Sequence, residues 1–213
     1  KARSLSLDAP IVMGVLNGTP DSVADGGGYA SREAALAQAR EMQGEGAASI
    51  DVGGESTRPG AQPVSEQQEL DRVLPVIEGL RKTSDAWISI DTMKPAVMRA
   101  AIRAGADLIN DVNALRATGA LEAASESGAA VCLMHMQGEP RDMQQNPSYA
   151  DVVTEVRDFL VRRIQACEQT RMAKDRIVID PGIGFGKSLA HNLALLGNLA
   201  QLTALGCPLM VGV

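Results

Sequence analysis

Trp87-Ile88-Ser89-Ile90-Asp91 is an apolar run of strand length that closes on a carboxylate, and the same arrangement recurs on either side of it. Runs at 11–16, 48–52, 87–90, 107–110, 130–135, 176–179 and 208–213 read as strands. Several are near-continuous Val, Ile and Leu, as parallel strands buried on both faces require. Helical patterns lie between them. Ser65 with Gln68 forms a capping box, and Leu70, Val73, Leu74, Ile77 and Leu80 follow as one apolar stripe. Pro75 falls inside that stripe and predicts a kink. Lys94-Pro95 opens the next helix and Gly105 ends it. The longest helix is expected over 150–170, with Val153, Val156, Leu160, Ile164 and Cys167 on its inner face.

Strand–helix alternation without a linker or low-complexity tract leaves a doubly wound sheet or a barrel. A dinucleotide-binding sheet carries GxGxxG after its first strand, and Met13-Gly14-Val15-Leu16-Asn17 leads into no such motif. A barrel instead places functional polar residues at the C-terminal ends of many strands. Asn17, Asp51, Asp91, Asn110 with Asp111, His135 and Asp180 each end an apolar run. The expectation is an α/β chain of the (β/α)8 TIM-barrel class, a single domain over 1–213, with the sequence ending in its seventh strand.

Composition narrows the function. The 213 residues carry 20 Lys and Arg against 26 Asp and Glu, a net charge of −6, and 45% are hydrophobic, enough for a large core. Net acidity and 2% aromatics give no footprint for nucleic acid. No apolar run approaches the roughly 20 residues that span a bilayer. No secretory pattern opens the sequence, and Cys132, Cys167 and Cys207 lack CxxC spacing and are odd in number. These features argue against a disulfide framework and a structural zinc, and a cytoplasmic protein is expected.

Three loops are richer than turns require. Asn17-Gly18-Thr19-Pro20-Asp21-Ser22-Val23-Ala24-Asp25-Gly26-Gly27-Gly28 is good turn chemistry and also suits a lid. Asp51-Val52-Gly53-Gly54-Glu55-Ser56-Thr57-Arg58-Pro59-Gly60 offers Arg58 as a fork for a carboxylate or phosphate, or as a partner for Glu55. Asp180-Pro181-Gly182-Ile183-Gly184-Phe185-Gly186-Lys187-Ser188 has only three residues between Gly182 and Gly186-Lys187, where a Walker A loop needs four. ATP binding is rejected on that spacing. Phe185, flanked by glycines, can stack on a flat ligand. His135 and His191 are too few and too far apart for a histidine metal centre, and His191 reads as a helix-surface residue. Met134 and Met136 share one side of the strand, where core packing is the default.

In these loops, together with Ser89-Ile90-Asp91-Thr92, Ile109-Asn110-Asp111 and Leu133-Met134-His135-Met136-Gln137-Gly138, the sequence resembles the dihydropteroate synthases, a pterin-binding enzyme family. The resemblance implies a folate-pathway transferase. It joins 6-hydroxymethyl-7,8-dihydropterin diphosphate to 4-aminobenzoate, releases pyrophosphate, uses Mg2+ as cofactor and is the sulfonamide target. It implies that Asp91, Asn110, Asp180, Met134, Asp51 and Gly212 bind the pterin. Thr57, Arg58, Pro59, Phe185 and Val23 then take the diphosphate and aminobenzoate, while Asn17 and Asp25 hold the metal. The full-length family protein is expected to be a homodimer.

The first loop departs from the family pattern, with Gly18 for Val, Val23 for Phe and Ala24 for Ser. Val23 therefore supplies no aromatic lid. The family's Ser-Arg-Lys-Ser run and its eighth-strand Arg and His fall past Val213 in that pattern. A methyltetrahydrofolate-dependent corrinoid methyltransferase and a truncated, non-catalytic pterin-binding protein are the alternative readings. The first would not be expected to carry both the Thr-Pro-Asp-Ser and Glu-Ser-Thr-Arg-Pro-Gly loops.

Overall fold

The structure is a computed structural model that describes residues 3–17, 28–57 and 62–212, with side chains in the first helix described from Arg32 onward. The chain divides into two compact units, Lys1–Ser56 with Pro63–Asn110 and Thr57–Gln62 with Asp111–Val213. Strands and helices alternate through both.

In the first unit β1 (Val12–Asn17), β2 (Ala47–Gly53), β3 (Trp87–Asp91) and β4 (Leu108–Asp111) pair in parallel in chain order. Helices α1 (Gly28–Gly44), α2 (Glu66–Thr83) and α3 (Pro95–Ala104) connect them. Ile50, Val52, Ile88, Ile90 and Ile109 are buried, as is the alternating set of Ser49, Asp51 and Ser89. Both faces of β2 and β3 are covered, which is why they read as near-continuous apolar runs rather than clean alternation, whereas Val12 and Val15 of β1 are exposed.

The capping box of α2 forms as expected: Ser65 Oγ accepts from the Gln68 N–H at 3.2 Å, and Gln68 Oε1 accepts from the Ser65 N–H at 2.9 Å. The helix runs through Pro75 without interruption. Its buried face is Val73, Val76, Ile77, Gly79 and Leu80, while Leu70 and Leu74 are only half-buried. The stripe is rotated from the sequence reading because α1 seats on Gly79, where a Cβ would lie 2.8 Å from Leu36. Each fully buried aliphatic side chain here contributes about 1.5–3 kcal/mol. Pro95 opens α3, and Gly105 ends it at φ 118°, the left-handed C-cap that glycine adopts at no steric cost. Arg81 then bonds the Gly105 carbonyl and Asp107, at 2.8 and 2.5 Å, tying α2 to the approach of β4.

The second unit contains α4 (Ala120–Ser127), β5 (Ala130–Met134), α5 (Val152–Gln169), a 3-10 turn (Lys174–Arg176), β6 (Ile177–Asp180), α6 (Leu189–Leu196) and α7 (Leu199–Thr203). Strands β5 and β6 pair in parallel. The Asp151 carboxylate caps α5 by accepting the Val153 and Thr154 N–H groups, and all five residues expected on its inner face are buried. Of the strand expected over 208–213, the described residues form one parallel bridge, between Leu209 and Ile179. Two backbone bonds hold it, Ile179 N–H to Pro208 O and Met210 N–H to Ile179 O, both 2.9 Å. Pro208 has no N–H to donate and Gly212 no side chain to pack, so the local sequence supports little more.

Candidate active site

Parallel pairing lines up the last residues of four strands. Asn17, Gly53, Asp91 and Asn110 occupy one register row across β1 to β4. Asn17, Asp91 and Asn110 are half-buried, whereas Asp51, one pleat earlier on β2, is only 4% exposed. The Asn110 amide donates to Asp51 Oδ2 at 3.0 Å. Burial pushes the Asp51 carboxyl up, against the opposing influence of the nearby Ser89 hydroxyl and the Asn110 amide. At Gly53 a Cβ would lie 3.2 Å from Asn17 Oδ1 and 3.6 Å from Asp91 Oδ2. The missing side chain leaves a cradle bordered by hard oxygen donors, the ligand chemistry that suits Mg2+. Among the described residues no group of three or more His, Cys, Asp and Glu forms a metal-binding cluster.

The loop after β2 is braced at its base. Glu55 Oε1 accepts the Val64 N–H at 3.0 Å, and Glu55 Oε2 pairs with Lys94 at 2.5 Å. Lys94 also pairs, at 2.5 Å, with Glu69, which is fully buried on α2. Glu55 is thus engaged by the Val64 N–H and Lys94. Thr57 is half-buried at the edge of this loop. Arg58 and Pro59 lie outside the described residues, as do Val23 and Asp25 of the first loop.

In the second unit Asp180 ends β6, in register with Met134, and the His135 N–H donates to the Asp180 carbonyl at 3.0 Å. Asp180 Oδ1 accepts the Gly182 N–H at 2.6 Å. Burial pushes this carboxyl up to about 6, opposed by that bond and by the Lys187 charge. The loop that follows lies tight on the chain after β5. At Gly182, φ 68°, a Cβ would collide with the His135 carbonyl, and at Gly186, φ 64°, with the Gln137 carbonyl. Glycine is required at both positions by conformation and by space. Met134 is buried, with its Cγ 3.3 Å from where a Gly182 Cβ would stand. Phe185 is half-buried on this loop, and Gly212 is exposed.

The strand-end polar residues therefore divide. Asp111 is spent locally: it accepts the Asn113 and Leu115 N–H groups at 2.7 and 2.8 Å and holds Ala114 and Leu115 in the left-handed region. Arg163 supports the same turn by donating to the Ala114 and Leu115 carbonyls. His135 is buried beside Lys187, and burial followed by the Lys187 charge lowers it to about 3, so its imidazole is neutral. His191, read from the sequence as a surface residue, is half-buried and closes a capping box with Ser188 at the start of α6. Lys187 and the Glu55–Lys94–Glu69 cluster were not picked out by sequence reasoning. The only signal for Lys187 was a lysine inside a glycine-rich loop directly after a strand.

The family model described as "Pterin binding enzyme" matches residues 13–213. The dihydropteroate synthase of Escherichia coli K12 is 51% identical over 212 residues, which cover 100% of this chain and 75% of that protein. Two solved structures match closely. The Yersinia pestis dihydropteroate synthase in a sulfonamide drug complex superposes with a TM-score of 0.94 at 51% identity, covering 100% of this chain and 78% of that one. The Xanthomonas albilineans enzyme with 4-aminobenzoic acid does so at 0.92 and 52% identity, covering 98% and 74%. The fold is that of these (β/α)8 barrels.

Proposed function

This chain belongs to the dihydropteroate synthase family, and from that premise we propose that it condenses 6-hydroxymethyl-7,8-dihydropterin diphosphate with 4-aminobenzoate to give 7,8-dihydropteroate and pyrophosphate. The observation that carries the reading is the register row of Asn17, Gly53, Asp91 and Asn110, which gathers hydrogen-bonding groups at the strand ends.

A pterin presents an amide N–H and an exocyclic amine side by side. The Asp180 carboxylate accepts both, while Asp91 and Asn110 bond other ring edges and Met134 packs against the ring. Asp51 acts by orienting Asn110, through the 3.0 Å bond between them. Gly212, which is exposed, takes a backbone contact to the pterin in this reading. Rings without the complementary pattern are rejected because they strand buried polar atoms. Thr57, Arg58 and Pro59 take the diphosphate and the aminobenzoate, with Phe185 and Val23 on the aminobenzoate side. Sulfonamides, which the Yersinia pestis relative binds, then compete with 4-aminobenzoate.

In the reaction the aminobenzoate nitrogen forms a bond to the pterin methylene carbon. The carbon–oxygen bond to the diphosphate breaks, its electron pair leaves on pyrophosphate, and the amine loses a proton. Asn17 and Asp25 would hold Mg2+, which neutralises charge on the leaving group when bound. The oxygen-bordered cradle at Gly53 supports that assignment.

Residues 1–213 are read as one pterin-binding domain, supported by a family match that runs through both compact units. No helix among the described residues is long and apolar enough to cross a membrane. Cys167 and Cys207 are buried free thiols, which supports a cytoplasmic setting. A homodimer is supported by Leu189, Leu193 and Leu196, exposed along one side of α6.

Pyrophosphate release with both substrates tests the function. Turnover is expected with Mg2+ and is expected to stop when a chelator removes it. No release with both substrates and Mg2+ present overturns the reading.

A further inference from the structure

Lys187 is 3% exposed, and the roles assigned above leave it unused. An ammonium is costly to bury unless its donors are satisfied. Its Nζ lies 3.0 Å from His135 Nδ1 and donates to the His135 carbonyl at 3.2 Å and the Phe185 carbonyl at 2.9 Å. Two of these contacts are on the residue that follows β5, and the third is on the loop that follows β6. The same two segments meet where Gly182 lies under the His135 carbonyl and Gly186 under the Gln137 carbonyl. The His135 N–H bonds the Asp180 carbonyl, and Asp180 Oδ1 accepts the Gly182 N–H. Asp180 and Phe185 therefore belong to a bracket that Lys187 closes.

Resting on the pterin-site reading above, we propose that Lys187 is a positioning residue for pterin recognition: its ammonium ties the β6 loop to the end of β5 and keeps Asp180 as the carboxylate that receives the pterin N–H groups.

The surrounding charges agree. Burial drives Lys187 down to about 7, and the Asp180 charge opposes that shift. The His135 imidazole is neutral, held so by burial and by the cations Lys187, Arg116 and Arg162. Tyr149 donates its hydroxyl to the Gly186 carbonyl at 2.7 Å, and burial followed by Glu155 raises it to about 12. The His191 ring packs edge-on against Tyr149. Within this group Lys187 is the cation that acts on Asp180. Without it, burial dominates and Asp180 keeps its proton to higher pH.

The test is the pH dependence of kcat/KM for the pterin diphosphate in Lys187→Met, Lys187→Arg and the parent enzyme, with thermal melts alongside. Lys187→Met is expected to move the acid limb up by about one pH unit, the lower end of the effect of a close opposite charge. Its pterin KM is expected to rise roughly tenfold well below pH 6 but only about twofold at neutral pH, where a limb moved from about 6 to about 7 still leaves about half of Asp180 ionised. Lys187→Arg is expected to return the limb towards its original place. In an Asp180→Asn background Lys187→Met should have no such limb left to shift. Lys187→Gln, neutral but still a donor, takes the place of Met if the latter does not fold. A lowered melting temperature with an unmoved limb and an unchanged pterin KM makes Lys187 merely structural and overturns the proposal. If the parent enzyme releases no pyrophosphate, the functional reading fails separately. The affinity of a pterin analogue against pH, in the same variants, then decides the role of Lys187.

Discussion

At Asp180 two opposing influences meet on one side chain. Burial raises its proton affinity, and the Gly182 N–H and the Lys187 charge lower it, leaving it at about 6. A carboxylate so poised is ionised at neutral pH yet sheltered from water, which strengthens each hydrogen bond it accepts. Asp111 titrates at about 6 for the same leading cause, but its oxygens are taken up by the Asn113 and Leu115 N–H groups. The comparison separates the carboxylate proposed to bind the pterin from one that holds a turn. Asp180→Asn is expected to weaken a pterin analogue by about 1.5–3 kcal/mol, roughly ten- to hundredfold. The loss for 4-aminobenzoate should be smaller. Calorimetric titration of both ligands checks this, and an unchanged pterin affinity would remove Asp180 from the site.

Among the elements, the loop after β2 depends on a charge cluster contributed by the loop itself, α2 and the N-cap of α3. Lys94 satisfies Glu55 and the fully buried Glu69 together, and both carboxylates hold its ammonium above the usual lysine range against the cost of burial. Lys94→Met leaves Glu69 buried and unpaired. A destabilisation on the order of 3 kcal/mol is expected, as when one partner of a buried pair is removed. A urea titration gives the measurement, and a midpoint equal to that of the parent would show the cluster to be dispensable. Because Glu55 also accepts the Val64 N–H, the same variant should loosen the loop that carries Thr57.

For the whole molecule, the face of α6 is the feature left to explain. Leu189, Leu193 and Leu196 are 75%, 59% and 38% exposed, at a spacing that stacks them on one side of the helix. Apolar side chains in such a row are typical of a contact with another chain. Leu193→Glu is expected to convert a dimer to a monomer by light scattering while the melt stays cooperative. A parent protein that is already monomeric, or a variant that remains dimeric, would exclude α6 as the contact.

Local interactions were legible in the sequence because they need only neighbouring residues. The Ser65–Gln68 box, the Pro95 start and Gly105 stop of α3, and the buried face of α5 depend on spacings of a few positions. The strand ends were legible too, since an apolar run that stops at a polar residue marks them. How those polar residues share the work was not legible. Asp51 steadies Asn110 across 59 positions, and Lys187 grips His135 across 52. The seventh run promised a strand, and among the described residues it forms a single bridge, since Pro208 donates no N–H and Gly212 has no side chain to pack. The sequence by itself determined the alternation of elements, their caps and the set of polar residues at the strand ends. Only the tertiary structure decided which of those residues are buried and which are consumed in holding others, because burial and charge pairing depend on distances set by packing between distant parts of the chain.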